Sequence, residues 1–348
     1  MKLLVSWIRE LGRYVSREFH FTMRDLIGIH GWRHVEPWVL TQCSQSPQDK
    51  LIELCGALPD YVLFWESYGL VNAIAPALKA MGCRMDIFID DLHLLWGAES
   101  EREDRLRALL SCDRVLTPYA YVFDDFYPEL RGQKEVHWVP HAASSDFVLP
   151  LNETPKGKIL LSGFVGAPYP LRTRMKQLME QGWDAIEQLE HPGYFEDYDY
   201  ANDPRVGPGY AATIHQYLAG FTDAAIYRYV VAKHFEIPAT GALLVTDSVV
   251  EEPLRELGFI EGVHYIATTL ETLEDKIRYV LDERNREEMN SIRRNGQALV
   301  LSTHCTQHRS QLLDSLASRG TTASDCRSRL HATKLDDISA STAETKKV

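Results

Sequence analysis

Residues 222–247, TDAAIYRYVVAKHFEIPATGALLVTD, contain the pattern that decides the fold. We interpret this run as a strand over Ala224–Tyr227, a basic turn, a helix over Val230–Thr240, and a second strand over Ala242–Thr246. Gly241 allows the helix to end and the next strand to begin. A strand, a helix and a strand joined by short connections form the building unit of a parallel α/β sheet.

The same alternation of apolar runs and helical patterns extends over the rest of the chain. Further strands are predicted at Lys2–Trp7, Pro37–Gln42, Asp60–Trp65, Arg84–Ile89, Arg114–Thr117 and Glu135–Val139, and then at Lys158–Ser162, Asp184–Leu189 and His264–Ala267. Short apolar runs between helices are typical of parallel strands that are covered on both faces. The sequence therefore predicts an α/β protein with two parallel sheets.

A polar segment separates the two series of strands. Residues 152–158, NETPKGK, carry Pro and Gly and suit an interdomain linker. We predict a first domain over 1–150, a second over 151–318, and a disordered tail over 319–348, where Ser, Thr and mixed charge replace the apolar face. Two such domains enclose a cleft between the carboxyl ends of their sheets, which is where open α/β sheets bind ligands.

Composition narrows the class of protein. The chain has 348 residues, 45% of them hydrophobic, and a formal net charge of -12, which argues against a nucleic-acid partner because acidic surfaces repel phosphate backbones. No run approaches the roughly 20 apolar residues that span a bilayer, and the first residues lack a secretory signal. The six cysteines are scattered without a CxxC pair, so we expect free thiols and a cytoplasmic protein. Peripheral association with a membrane is compatible with this composition.

The helix of the opening stretch contains a candidate anion site. Lys233 stands near its start, where backbone amides and a partial positive charge suit a diphosphate, and Glu236 can accept hydrogen bonds from a ribose diol. Gly163 and Gly166 lie in a turn after a strand and allow close backbone approach, and Arg172 can bind phosphate with two hydrogen bonds. Simpler interpretations stay open: an exposed Lys–Glu ion pair, an ordinary turn and a solvated arginine.

The first domain is expected to supply the proton acceptor of a reaction in the cleft. Asp90, Asp91 and His93 follow a predicted strand, so they lie at a carboxyl edge, and an Asp or His there can take a hydroxyl proton. Glu66 and the segment Arg9–Gly12 follow other strands and are alternatives. Asp90, Asp91 and His93 are equally compatible with capping of the strand end.

The run KHFEIPATGALLV, residues 233–245, resembles the donor-site segment of GT-B glycosyltransferases. It is most similar to the group-1-like branch that includes the spore-maturation protein CgeB. The resemblance implies an α/β fold of the GT-B type, with two Rossmann-like parallel-sheet domains that face each other across a cleft. It also implies that Glu236 holds the nucleotide ribose and that Ala239 and Gly241 occupy matching donor-site positions.

Other segments extend the resemblance over roughly residues 113–310, while residues 1–112 match only in the rhythm of strands and helices. SGFVGAPYPLR (162–172) is similar to the loop after the first strand of the second domain, VPHAASSDFVLP (139–150) to the interdomain segment, and GFIEGVHYIATT (258–269) to the C-terminal end. His304 and Arg309 match the closing H-T-x-x-x-R motif, although Cys305 replaces its Thr.

A further departure from the family pattern matters more. Many retaining relatives carry Glu-x7-Glu, but the residue eight positions before Glu236 is Arg228. An arginine there is expected to neutralise the leaving diphosphate, and a purely structural ion pair is the alternative. The departure leaves retention or inversion of the anomeric configuration open.

The resemblance implies transfer of a sugar from a nucleotide-sugar donor to a glycan, lipid or small-molecule acceptor. Fixed cations and amide dipoles can stabilise the leaving diphosphate, so we expect no metal ion and no cofactor besides the donor itself. Two alternatives stay open. One is a GT-B nucleotide-sugar epimerase, which needs no acceptor, and the other is a non-catalytic nucleotide-sugar-binding relative, which Arg228 favours.

Overall fold

The protein forms two parallel sheets, each covered by helices on both faces. The structure is a computed structural model and describes residues 1–319, except residues 43, 95–98 and 195. The predicted disordered tail, apart from Arg319, lies outside the described residues, as do Cys43 and Cys326. Among the described residues, no helix is both long and apolar enough to cross a bilayer.

The first sheet has six parallel strands in the order β2-β1-β3-β4-β5-β6. The strands are β1 Lys2–Val5, β2 Arg33–Val35, β3 Tyr61–Trp65, β4 Arg84–Phe88, β5 Arg114–Thr117 and β6 Glu135–Trp138. Its helices are α1 Ile8–Leu11, α2 Glu18–Gly28, α3 Pro37–Thr41, α4 Pro47–Cys55, α5 Tyr68–Ala80, α6 Glu99–Ser111 and α7 Phe123–Phe126. Every residue of β3 is buried, as expected of a central strand with helices on both sides.

The second sheet has five parallel strands in the order β11-β10-β9-β7-β8. They are β7 Lys156–Ser162, β8 Ile186–Leu189, β9 Tyr217–Phe221, β10 Leu243–Asp247 and β11 Ile266–Thr268. The helices are α8 Pro170–Glu180, α9 Gly207–His215, α10 Lys233–Ala239, α11 Glu251–Glu256, α12 Leu273–Leu281, α13 Arg286–Thr303 and α14 Thr306–Ser318. The strand order reverses between β7 and β9, and ligands of such sheets bind at the carboxyl ends beside that reversal.

Two of the predicted strands are wrong. Residues Pro37–Thr41 form α3, because Pro at the first helical position fixes φ near its helical value and WVL packs equally well in a helix. Residues 224–227 lie in the loop after β9, and the strand itself is Tyr217–Phe221. Gly220 obscures the strand pattern in the sequence. The structure requires glycine at this position because a Cβ would lie 2.9 Å from the Ile237 side chain of α10.

Two backbone segments cross side by side between the sheets. The Ala143 N–H donates to the His304 carbonyl at 2.9 Å, and the Thr306 N–H donates to the Ala143 carbonyl at 3.0 Å. Beyond this crossing, α14 packs on the first sheet, where Asp314 accepts hydrogen bonds from Lys2 and Trp32 at 2.7 Å each. The division of the chain at residues 150 and 151 stays a prediction, while the contacts of α14 are with the first domain.

Candidate functional site

Gly163, Lys233 and Arg172 meet at the carboxyl end of β7. Gly163 has φ +92°, and a Cβ there would lie 2.9 Å from both the Lys233 Cε and the Arg172 Nη1. No other residue type therefore fits this turn without moving both cations. The structure brings together three residues that are separated in the sequence but were predicted to share a site.

Lys233 is the first residue of α10 and supplies a cation to the cleft. Within the described residues its ammonium makes no hydrogen bond or ion pair, and it lies 5.8 Å from the centre of the Tyr210 ring. Burial lowers the pKa of Lys233 to about 8, although the Glu236 carboxylate opposes this shift. A partly buried ammonium without a partner is suited to binding an anion.

The amides of α10 contribute less than the sequence suggested. The N–H groups of His234, Phe235 and Glu236 already donate to backbone carbonyls of residues 231 and 232, at 2.9–3.0 Å. The helix is also only seven residues long, so few peptide dipoles add along it. The Lys233 side chain is therefore the main source of positive charge at this end of the helix.

Glu236 is a buried carboxylate one turn after Lys233. Glu236 is 1% exposed, and neither carboxylate oxygen has a hydrogen-bond partner of normal geometry among the described residues. Burial raises the pKa of Glu236 to about 7, against the opposing effects of Lys233, Ser16 and His141. Since an unpaired buried carboxylate is costly, this group is arranged for a ligand that supplies donors.

Arg172 is held by the protein itself. Its guanidinium donates to the Phe164 carbonyl at 3.2 Å and to the Thr222 hydroxyl at 2.8 Å, and its Nε lies 3.1 Å from Asp223 Oδ1. These contacts tie the loop after β7 to the loop after β9. A direct role on phosphate stays a prediction, and the observed contacts give Arg172 a supporting position behind Gly163.

The other two predicted glycines have local structural tasks. At Gly166 a Cβ would lie 2.7 Å from the Phe164 ring, so this glycine allows the turn that leads into α8. Gly241 has φ +82° and ends α10 at the opposite end from Lys233, where its carbonyl accepts a hydrogen bond from Arg293 at 2.8 Å. Gly241 thus shapes the second domain without lying beside the Lys233 ammonium.

Asp90, Asp91 and His93 follow β4 and lie on the first domain's side of the cleft. Asp90 Oδ1 lies 3.5 Å from His141 Nε2, and burial, opposed by His141, raises the pKa of Asp90 well above its usual range. The Asp91 side chain is 41% exposed and lies 3.8 Å from His93. The His93 ring stacks on Tyr227 at 4.1 Å, so its position is fixed by the second domain.

Glu66 provides a further carboxyl group at the end of β3. Glu66 and Ser67 both have left-handed φ values, 54° and 58°, which side chains other than glycine rarely adopt. Burial and the Asp91 charge raise the pKa of Glu66 to about 7, while Arg105 and the amide of Asp90 oppose the shift. The first domain therefore contributes the carboxyl groups of Asp90, Asp91 and Glu66, whereas the second domain contributes cations.

Arg228 makes its contacts with the first domain. It lies in the loop after β9 with φ +60°, its guanidinium pairs with Asp125 of α7, and its carbonyl accepts a hydrogen bond from Tyr121 at 2.9 Å. The side chain is 52% exposed. The observed ion pair matches the structural alternative, and a role for Arg228 at the diphosphate stays a prediction.

The loop that carries Arg228 also ties the two domains together. Tyr229 is 2% exposed and belongs to the apolar core of the first sheet, where it stacks on Tyr119 at 3.7 Å. Its hydroxyl accepts N–H groups of Leu92 at 3.0 Å and His93 at 3.2 Å. We call residues 225–231 the bridging loop.

Replacing this tyrosine is expected to weaken the fold of both domains. Tyr229→Ala should lower the free energy of unfolding by about 3–5 kcal/mol, because it removes a buried aromatic ring and leaves a cavity. Tyr229→Phe keeps the ring and should cost only about 1–3 kcal/mol for the two unpaired amides. Urea denaturation of the three proteins measures the difference, and equal midpoints for all of them would contradict the packing of this loop.

A small cleft opens beside Lys233. Its walls include Gly163, His191, Tyr210 and Lys233 of the second domain and Val15 of the first.

Sequence reasoning missed two buried groups in this cleft, Glu18 and His141. Glu18 starts α2, and His141 lies in segment 139–150, which the sequence indicated only as an interdomain segment. They are 123 positions apart but form a 2.8 Å hydrogen bond. No local signal in the sequence shows this pairing.

The family comparison agrees with this arrangement. Residues 146–315 match the model of the family Glyco_trans_1_2, described as glycosyl transferase-like. This part of the chain is similar to that family. The matched range contains Gly163, Lys233 and Glu236, so the candidate site lies inside it. A search of curated protein sequences found no match.

Solved structures extend the likeness to both domains. Anabaena HepE in complex with UDP-glucose has a TM-score of 0.60 at 12% identity, over 91% of this chain and 99% of that one. Sucrose-phosphate synthase from Thermosynechococcus elongatus has a TM-score of 0.58 at 10% identity, over 90% and 97%. The pneumococcal O-GlcNAc transferase GtfA, at 8% identity and a TM-score of 0.49 over 78% of this chain, is longer, and this chain spans 60% of it. The predicted GT-B fold is confirmed, and the family match supports the predicted glycosyltransferase class.

Proposed function

We propose that the protein transfers a sugar from a nucleoside-diphosphate sugar to a hydroxyl group of a glycan, lipid or small-molecule acceptor. The main support is the Lys233 ammonium and the buried Glu236 carboxylate on α10, beside the Gly163 turn, because neither group has a hydrogen-bond partner of normal geometry within the described residues. An ammonium suits a diphosphate, and a carboxylate suits the two hydroxyls of a ribose. HepE, which shares the fold, was solved with UDP-glucose, and this agrees with such a donor.

In the proposed reaction, a cation of the second domain stabilises the leaving group, and a carboxylate of the first domain accepts a proton. The bond between the sugar C1 and the diphosphate oxygen breaks, and its electron pair leaves with the diphosphate beside Lys233. The acceptor oxygen bonds to C1, and its proton passes to a carboxylate of the first domain, for which Asp90 is our choice. A fixed cation at the leaving group stabilises the transition state more than the ground state, because the charge grows during the reaction. We propose that this cation acts without a metal ion.

Isothermal titration with UDP, GDP and dTDP in buffer that contains EDTA tests the proposal. We expect one of these nucleotides to bind, and Glu236→Gln to weaken binding by about tenfold or more, since hydrogen bonds to charged groups contribute about 1.5–3 kcal/mol. The same variant should raise the melting temperature of the free protein, because it removes an unpaired buried charge.

The control is Glu187→Gln, on a half-exposed carboxylate of β8 that pairs with Lys158 at 2.6 Å. It should bind the nucleotide as the wild type does. If no nucleotide binds, or if both variants behave alike, the proposed donor site is wrong.

A further inference from the structure

His141 lies where the chain crosses from the first sheet to the second, and it is 6% exposed. Its Nδ1 lies 2.8 Å from Glu18 Oε2, and its Nε2 lies 2.8 Å from the Tyr119 hydroxyl and 3.5 Å from Asp90 Oδ1. The other oxygen of Glu18 accepts the N–H of Ala142 at 2.6 Å. Both partners of this pair are therefore fixed, and the Nε2 edge of the ring, which contacts the Tyr119 hydroxyl, also faces Asp90.

Charged groups surround His141 on several elements. Glu18 belongs to α2, Asp90 follows β4, Glu236 and the neutral His234 belong to α10, and Tyr119 follows β5. Arg309 of α14 donates to the His141 carbonyl at 3.0 Å. Burial disfavours the imidazolium form, but Glu18, with smaller effects of Asp90 and Glu236, outweighs it and raises the pKa of His141 to about 9.

The surroundings of Asp90 are mostly acidic or phenolic. Asp91, Glu66 and Glu18 all raise its pKa, whereas His141 lowers it. The phenol groups of residues 14, 68, 119 and 229 lie near enough to interact with the Asp90 charge. His141 is thus the cation among these neighbours that favours an ionised Asp90.

We propose that Glu18 and His141 form a positioning pair, in which Glu18 orients the His141 imidazolium and His141 holds the Asp90 carboxylate ready to accept the acceptor's hydroxyl proton. This inference rests on the proposed function. In the step concerned, the acceptor O–H bond breaks and its proton goes to Asp90, the acceptor oxygen bonds to C1, and the C1–O electron pair leaves on the diphosphate. His141 keeps its protons throughout and acts only through its charge and its contact with Asp90.

The pH profile of kcat/KM distinguishes this role from a merely structural one. With His141→Gln, the acidic limb should move upward by about 1–3 pH units, because an opposite charge at this distance lowers a carboxyl pKa by about that much. Glu18→Gln should move the limb in the same direction by a smaller amount: it removes the group that keeps the imidazole charged, but it also removes the weaker repulsion between Glu18 and Asp90.

His137→Gln is the matched control. His137 is another buried histidine, at 7% exposure, and it pairs with Glu135 at 2.7 Å on β6. Its replacement should leave the limb where the wild type has it. A limb that does not move in a His141→Gln protein that folds and binds UDP would overturn the positioning role. A wild-type protein that binds no nucleotide would instead overturn the proposed function.

A second measurement needs no turnover. In protein with ¹³C-labelled histidine, the His141 signal, assigned by its absence in His141→Gln or by its shift in Glu18→Gln, should remain that of an imidazolium up to about pH 8. In Glu18→Gln it should lose its proton at lower pH, because the carboxylate that stabilises the cation is gone. A His141 that is already neutral at pH 7 in the wild type would overturn the inference even if the variants fold poorly.

Discussion

The Asp90→Asn variant is expected to lose about 10²- to 10⁴-fold in kcat, because a positioned general base contributes rate accelerations of about this size. Binding of the nucleotide should stay unchanged, since the donor contacts lie on the second domain. Burial and the neighbouring acids already disfavour the Asp90 charge, so its removal should leave the melting temperature equal or higher. Steady-state kinetics at saturating donor, together with nucleotide titration and thermal melting, measure the three quantities.

Asp91→Asn is the neighbouring control. Asp91 is 41% exposed and has no such contact with His141, so its replacement should change kcat by much less. If Asp90→Asn and Asp91→Asn lose equal activity, or if neither does, the proton leaves the acceptor by another route and Asp90 is not the base.

Lys233→Met is expected to reduce kcat by about 10²- to 10³-fold. Removal of one fixed donor from a developing negative charge has effects of about this size in other enzymes. Methionine fills nearly the same volume, and burial already lowers the pKa of Lys233, so the fold should tolerate the change. Nucleotide binding should weaken less than kcat falls, because the charge on the diphosphate grows on the way to the transition state.

A lysine on the outer surface of the same domain serves as the control. Lys276→Met removes an ammonium from α12 that lies 3.8 Å from Glu261, and it should leave kcat and nucleotide affinity unchanged. A Lys233→Met protein that retains wild-type kcat would exclude this ammonium as the stabiliser of the leaving group.

The sequence predicted the parts of the fold that depend on local pattern. Buried parallel strands such as Tyr61–Trp65 are continuous apolar runs, so their positions were evident. Lys233 and Glu236 were found because they share one helical turn, and Gly163 because it follows a strand directly. The strand predicted at residues 224–227 was wrong, because Gly220 interrupts the apolar pattern of the true strand. Glycine stands there because α10 packs closely against this position.

The parts that sequence could not predict depend on contacts between distant segments. The sequence shows that Arg228 stands eight positions before Glu236. It does not show that the ion-pair partner of Arg228 is Asp125, in the first domain. The pairing of Glu18 with His141 likewise joins segments 123 positions apart. Such contacts arise from how two domains meet, and neither spacing nor periodicity within one segment carries that information.

The return of α14 to the first sheet has a consequence for protein synthesis. Leu313, Leu316 and Ala317 are part of the same apolar cluster as Leu4 and Leu63 of the first two central strands. While the ribosome is still translating the second domain, α2 packs on this face of the nascent first domain but the cover that α14 provides is missing. The amino-terminal half of the protein can therefore reach its final core only after residue 317 has been made, and chaperones that bind exposed apolar chain have that whole interval in which to act.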